Sequence, residues 1–158
     1  DDIANAWQKY YPEIFFERKL FEDIMGHYRY KKSLGWGHTS DIADNFKAID
    51  FYKDFTIVGD NIFAETVISM KTTTSINLDN WLASNPIKTN LDNLVEGLGG
   101  DKGILWNGTT IKYSKVEVHI YMPKANITPE LESDWFGNLA AERPNIKFEI
   151  KALEDYIK

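Results

Sequence analysis

The chain contains no cysteine. Disulfides, thiolate catalysis and cysteine-ligated zinc or iron–sulfur centres are therefore excluded. No apolar run approaches the roughly 18 residues of a membrane-spanning helix, so no stable membrane association is expected. The opening Asp1-Asp2-Ile3-Ala4 has neither the basic nor the apolar region of a signal peptide, and no initiator Met, as expected of a processed form or a fragment of a longer polypeptide. Phosphate-binding glycine loops, GxSxG elbows and HExxH metal spacings are missing. Positive charge is also in short supply. With 18 Lys and Arg against 24 Asp and Glu, the formal charge of −6 argues against a broad basic nucleic-acid face, though not against local contact.

What is present describes a folded protein. A hydrophobic content of 43% with 14% aromatics is too apolar for a disordered chain. At 158 residues it is read as one domain, 1–158, able to bury its own core. Ile14, Glu17, Leu20, Phe21, Ile24 and Tyr28 form an amphipathic stripe, predicting a helix within residues 3–30. Gly35-Trp36-Gly37-His38-Thr39-Ser40 reads as a loop. Strands are expected near 47–53 and at 62–72, joined through the turn Val58-Gly59-Asp60-Asn61.

Asn77 caps a helix at 78–84, Asn85-Pro86 interrupts it, and a second helical run covers 88–98. Residues 104–122 read as a hairpin turning at Asn107-Gly108. Ile111 and Tyr113 share one parity and Val116, Val118 and Ile120 the other, so a bulge is expected near Ser114-Lys115. Pro129 opens a helix to about 141, a strand follows at 146–150, and a short helix closes the chain. The class is α/β (α+β), a central mixed sheet flanked by helices.

Polar groups on the apolar strand 62–72 draw attention, because buried charge is costly unless paired or bound to a metal. Glu65, Ser69 and Lys71 have the same parity. Metal-dependent phosphodiester cleavage needs hard oxygen ligands and a cation near the attacked phosphate. Asp50 can supply a first carboxylate and Glu17, on the apolar helix face, a second; Ser69 and Lys71 follow on the next strand. Plainer readings stand beside these. Asp50 can cap a loop, Lys71 can snorkel from a sheet edge, Glu17 can be a solvated helix carboxylate with Glu22 as its rival, and Glu65 is read as exposed. His119 shares its parity with Lys115, Glu117 and Tyr121, which reads as the solvated face of a hairpin.

Asn45-Phe46-Lys47-Ala48-Ile49-Asp50-Phe51-Tyr52, followed by Ala64-Glu65-Thr66-Val67-Ile68-Ser69-Met70-Lys71-Thr72, resembles the nuclease toxin domains at the C-termini of contact-dependent growth inhibition and related polymorphic toxins. These belong to the restriction-endonuclease-like superfamily with the PD-(D/E)xK signature. The resemblance covers roughly residues 12–75. It implies a restriction-endonuclease-like core in which Glu17 (within Phe16-Glu17-Arg18-Lys19-Leu20) and Asp50 ligate a divalent ion, Mg²⁺, Mn²⁺ or Zn²⁺. Ser69 stands where the family usually carries Glu or Asp, which leaves one fewer charged ligand, and Lys71 takes the lysine position.

The resemblance further implies cleavage of DNA or tRNA in the cytoplasm of a target bacterium. The domain would be the end of a larger secreted or cell-surface toxin, neutralised in the producer by a cognate immunity protein. Two other expectations are a non-catalytic acidic binding module, such as an immunity or adaptor protein, and a metal-independent ribonuclease using His38 and His119.

Overall fold

A computed structural model describes residues 18–43, 46–99 and 101–156. Its elements run α1 (Arg18–Tyr28), β1 (Trp36–His38), β2 (Phe51–Val58), β3 (Asn61–Thr72), α2 (Leu78–Ala83), α3 (Asn85–Glu96), β4 (Ile104–Trp106), β5 (Thr109–Met122), α4 (Pro129–Glu142) and β6 (Ile146–Ala152). Short 3₁₀ turns follow α1, β1, β5 and β6.

Several boundaries follow from local chemistry. Asn77 Oδ1 accepts the Asn80 amide at the start of α2, and Thr128 Oγ1 accepts the Leu131 amide at the start of α4. Pro86 and Pro129 lie in first turns, where their missing N–H costs nothing. Asn107 and Gly108 both adopt positive φ, 51° and 81°, as the two-residue turn between β4 and β5 requires.

The six strands form one mixed sheet in the order β1-β2-β3-β5-β4, with β6 also on β5. β2 and β3 are an antiparallel hairpin, while β3 and β6 both run parallel to β5. β4 pairs with the start of β5, Thr109 to Ile111, and β6 with its end, Val116 to Met122. The two short strands thus share one edge of β5 in succession.

Helices cover both faces. Leu78 and Trp81 of α2, Leu91 and Leu94 of α3, and Leu131, Trp135 and Leu139 of α4 belong to the larger core, with Val67, Val116, Val118 and Ile120 of the sheet. Phe21, Ile24 and Met25 of α1 pack with Phe51, Ile68 and Tyr121 in a smaller core on the other face.

At Ser114, where a bulge is expected, the structure has a break in pairing that extends across three strands and inserts no extra residue. Pairing skips Asp54, Glu65 and Ser114 at one level, yet the register on either side is unchanged. Ala64 and Val67, Tyr113 and Val116, and Tyr52 and Phe55 then all join the larger core, although each pair is three residues apart. All three strands thus change parity together, which keeps them paired. Asp54 takes a positive φ of 55° to do so.

Three expectations need correction. Residues 36–38 form β1 rather than loop, because Gly37 pairs with Tyr52. The strand expected near 47–53 starts at Phe51 and runs to Val58, because Ala48 at φ 64° bends the preceding segment. The 146–150 strand extends to Ala152.

Candidate active site

Asp50 is the last residue before β2. Its amide donates to Ile68 O at 2.9 Å, and its carbonyl accepts from the amide and hydroxyl of Thr39 at 3.1 and 3.0 Å. Its side chain turns to the neighbouring strand, where Oδ2 accepts the Met70 amide at 2.6 Å. The carboxylate therefore takes the acceptor position that a further residue of β2 would have occupied. Asp50 is only 5% exposed, and a charged hydrogen bond to a fixed amide offsets part of its desolvation.

The β2–β3 register ends at the pair Phe51–Ile68; Asp50 precedes Phe51 and Ser69 follows Ile68. Ser69 is fully buried, and its Oγ has no hydrogen-bond partner among the described residues. A buried hydroxyl left unpaired costs about 1–3 kcal/mol, so the fold keeps it against a penalty. Ser69 pairs in register with Val118, and Lys71 with Ile120; both partners lie in the larger core. Lys71 is half-buried near the end of β3. Asp50, Ser69 and Lys71 are thus gathered at the end of the β2–β3 hairpin away from its turn.

Glu17 lies outside the described residues. Its rival Glu22 is half-buried on α1. Glu65 falls in the strand break, is exposed, and pairs with Lys115 at 3.1 Å.

A second group, absent from the sequence-based expectations, occupies the opposite face. His119 is not on a solvated hairpin face; it is 2% exposed on β5, between two parallel neighbours and under the smaller core. Its Nε2 lies 2.9 Å from Glu117 Oε1 and 2.9 Å from Glu149 Oε2. Nδ1 is 2.5 Å from the Tyr30 hydroxyl, which is 2.8 Å from that of Tyr121. The hydrogen bond from His119 holds the Glu117 carboxyl down at about 2, against the opposing effect of burial. The spacing Glu-x-His on one strand was readable. Glu149 was not, because its place beside His119 depends on the parallel register of β5 and β6.

Both nitrogens of His119 have partners, Tyr30 at Nδ1 and Glu117 and Glu149 at Nε2. His38 Nε2 donates to the Tyr30 carbonyl at 2.6 Å. Together with His27, Lys31 and Lys32, His38 lines an open cleft of about 500 Å³ beside β1. Thr39, the next residue, holds the Asp50 carbonyl, so this cleft, which Asp23 also lines, is tied to the candidate site through one residue.

Comparison with protein-family models, with curated proteins and with solved structures finds no match for the chain.

Proposed function

We propose that this chain is a metal-dependent nuclease of the restriction-endonuclease-like PD-(D/E)xK type, the toxin domain of a contact-dependent growth inhibition or related polymorphic toxin. The observation that carries the reading is that Asp50 and Ser69 flank the last pair of the β2–β3 ladder, Phe51–Ile68. One is a buried carboxylate held by a backbone amide, the other a buried hydroxyl with no partner, and Lys71 lies two residues on.

The donor set fits a hard divalent ion: a buried carboxylate oxygen and an orphaned hydroxyl oxygen, with Glu17 as the carboxylate the resemblance adds. Such an ion, when bound, polarises the phosphate and lowers the pKa of its water. The Met70 amide helps to hold the Asp50 carboxylate in place. Lys71 supplies a positive charge where negative charge develops on the phosphate, and its protonated amine can orient the attacking water. Lys31 and Lys32 line the neighbouring cleft, with Asp23 also on its wall and Lys32 paired to Asp41, and they offer local positive charge to a phosphate backbone despite the overall charge of −6.

The nucleic acid is DNA or tRNA, reached in the cytoplasm of a target bacterium after delivery by a larger secreted protein. A cognate immunity protein would protect the producer. Incubation with plasmid DNA and total tRNA, with Mg²⁺, Mn²⁺ or Zn²⁺ and with EDTA, tests the reading. Metal-dependent cleavage that disappears in Asp50→Ala and Lys71→Ala is expected. Cleavage that persists in EDTA, or full activity in either variant, refutes it.

A second reading, a non-catalytic binding module, draws on the exposed apolar residues Ile57, Val58, Phe63, Leu105 and Trp106 around the two hairpin turns. It predicts no cleavage of either substrate under any metal.

A further inference from the structure

We propose that Glu117, His119 and Glu149 form a binding site for a divalent transition-metal ion, separate from Asp50 and on the opposite face of the sheet. Their ligand atoms, one imidazole nitrogen and two carboxylate oxygens, lie within 4.8 Å of one another.

The placement follows from the strands. Glu117 and His119 are two apart on β5 and so project to the same side. Glu149 is the direct register partner of His119 on the parallel strand β6. Val118 and Ile120, on either side of His119, belong to the larger core, which assigns the three ligands to the α1 face. Ser69, paired with Val118, belongs to the other face.

Hydrogen bonding alone serves this arrangement poorly. Two carboxylate oxygens converge on one ring nitrogen, each at 2.9 Å, and that nitrogen can carry a single proton. One N–H divided between two acceptors leaves both with a weak bond. A cation in the same position has no such limit. Neighbouring ligands of a six-coordinate ion at about 2.1 Å lie roughly 3 Å apart, close to the spacing already present.

The surroundings match those of a metal-binding imidazole. The Tyr30 hydroxyl engages Nδ1 at 2.5 Å and is itself held by Tyr121, so the ring is oriented with Nε2 facing the carboxylates. His119 is buried, whereas the Glu117 and Glu149 side chains are 23% and 32% exposed, so the two carboxylates keep partial access to solvent. Lys151 Nζ, 3.4 Å from Glu149 Oε1, pairs with the oxygen that does not face His119. A nitrogen donor beside two carboxylates selects Zn²⁺, Co²⁺ or Mn²⁺ over Mg²⁺ or Ca²⁺, which prefer all-oxygen sets. Bound there, the ion would clamp β6 to β5.

The proposal does not depend on nuclease activity. The test uses the full chain stripped with EDTA and titrated with Zn²⁺ by calorimetry, and with Co²⁺ by visible absorption. Thermal unfolding is followed in parallel. Asp50→Ala is expected to retain one equivalent of ion, the Co²⁺ bands and a rise in Tm with Zn²⁺. Further substitutions are made in the Asp50→Ala background, so that only this site is read. There Glu149→Gln should lower Zn²⁺ affinity at least tenfold and remove the Tm rise, and His119→Gln should abolish the remaining binding. Because His119 lies in the core, the partly exposed Glu149→Gln variant decides the question if His119→Gln does not fold. Loss of all binding in a folded Asp50→Ala protein overturns the proposal, as does unchanged affinity on adding Glu149→Gln.

Discussion

The amide of Met70 donates to Oδ2 of Asp50 at 2.6 Å, so the carboxylate proposed for catalysis also completes the ladder between β2 and β3. One side chain thus has a structural and a chemical task, and substitutions can separate them. Asp50→Asn keeps a side-chain oxygen for the Met70 amide but removes the negative charge. Its far-ultraviolet circular dichroism should match the wild type, with cleavage reduced by roughly 10²–10³-fold, as when one preorganised electrostatic group is lost. Wild-type cleavage by a folded Asp50→Asn protein would remove Asp50 from the site.

Ser69→Ala should move stability and activity in opposite directions. Removing a buried hydroxyl that lacks a partner leaves no donor or acceptor unsatisfied, so stability should hold or rise by up to about 1 kcal/mol. For a chain of this length that is a Tm increase of roughly 2–4 °C at most. Metal-dependent cleavage should fall. A Ser69→Ala protein that is less stable yet fully active would show that the hydroxyl serves packing only.

Tyr113 holds the end of α3. Its hydroxyl donates to Leu94 O at 2.6 Å, and the Leu98 amide that would ordinarily take that carbonyl bonds to Val95 O instead. Tyr113→Phe would leave the Leu94 carbonyl buried and unpaired, at a cost of about 1–3 kcal/mol measurable by urea denaturation.

The same residue sets an alkaline limit. Burial pushes the Tyr113 phenol well above its ordinary value of 10.0. The folded state therefore holds this proton more tightly than the unfolded state. The stability is fully present below pH 10 and declines as pH rises from there through the folded-state value. Tyr113→Phe should lose less stability between pH 9 and pH 11 than the wild type does; equal losses would assign the alkaline transition to another group.

Gly37 keeps β1 against β2. A Cβ at this position would overlap the ring of Tyr52, its buried register partner. Gly37→Ala should cost about 1–3 kcal/mol through overpacking, read as a lower unfolding temperature. Because β1 leads into Thr39, which holds the Asp50 carbonyl, cleavage should fall as well. An unchanged Tm would mean that Tyr52 moves aside without penalty.

Much of the candidate site was legible. The Asn107-Gly108 turn, the Asn77 cap and the helix start at Pro129 all arise within a few residues, so local chemistry determines them. Asp50, Ser69 and Lys71 stood out because polar groups interrupt apolar segments. His119 was misjudged for a reason of the opposite kind. Alternating charge along 115–121 looks the same whether that side meets water or α1, and only the packing of Phe21, Ile24 and Tyr30 makes it an interior.

By itself, then, the sequence determined most of the helices and strands and the turns between them, though not β1 or the start of β2, and it placed Asp50 on the segment before the strand that carries Ser69 and Lys71. Caps, turns and periodicity act over a few residues, and a hairpin brings its own two strands together. Tertiary structure alone decided that Glu149 meets His119, that β1 pairs with β2, and that Glu117 and Ser69 lie on opposite faces of one sheet. The first and third depend on the parallel register of β3, β5 and β6 across intervening helices, and the second on an antiparallel contact across the segment between β1 and β2, relationships no local segment encodes.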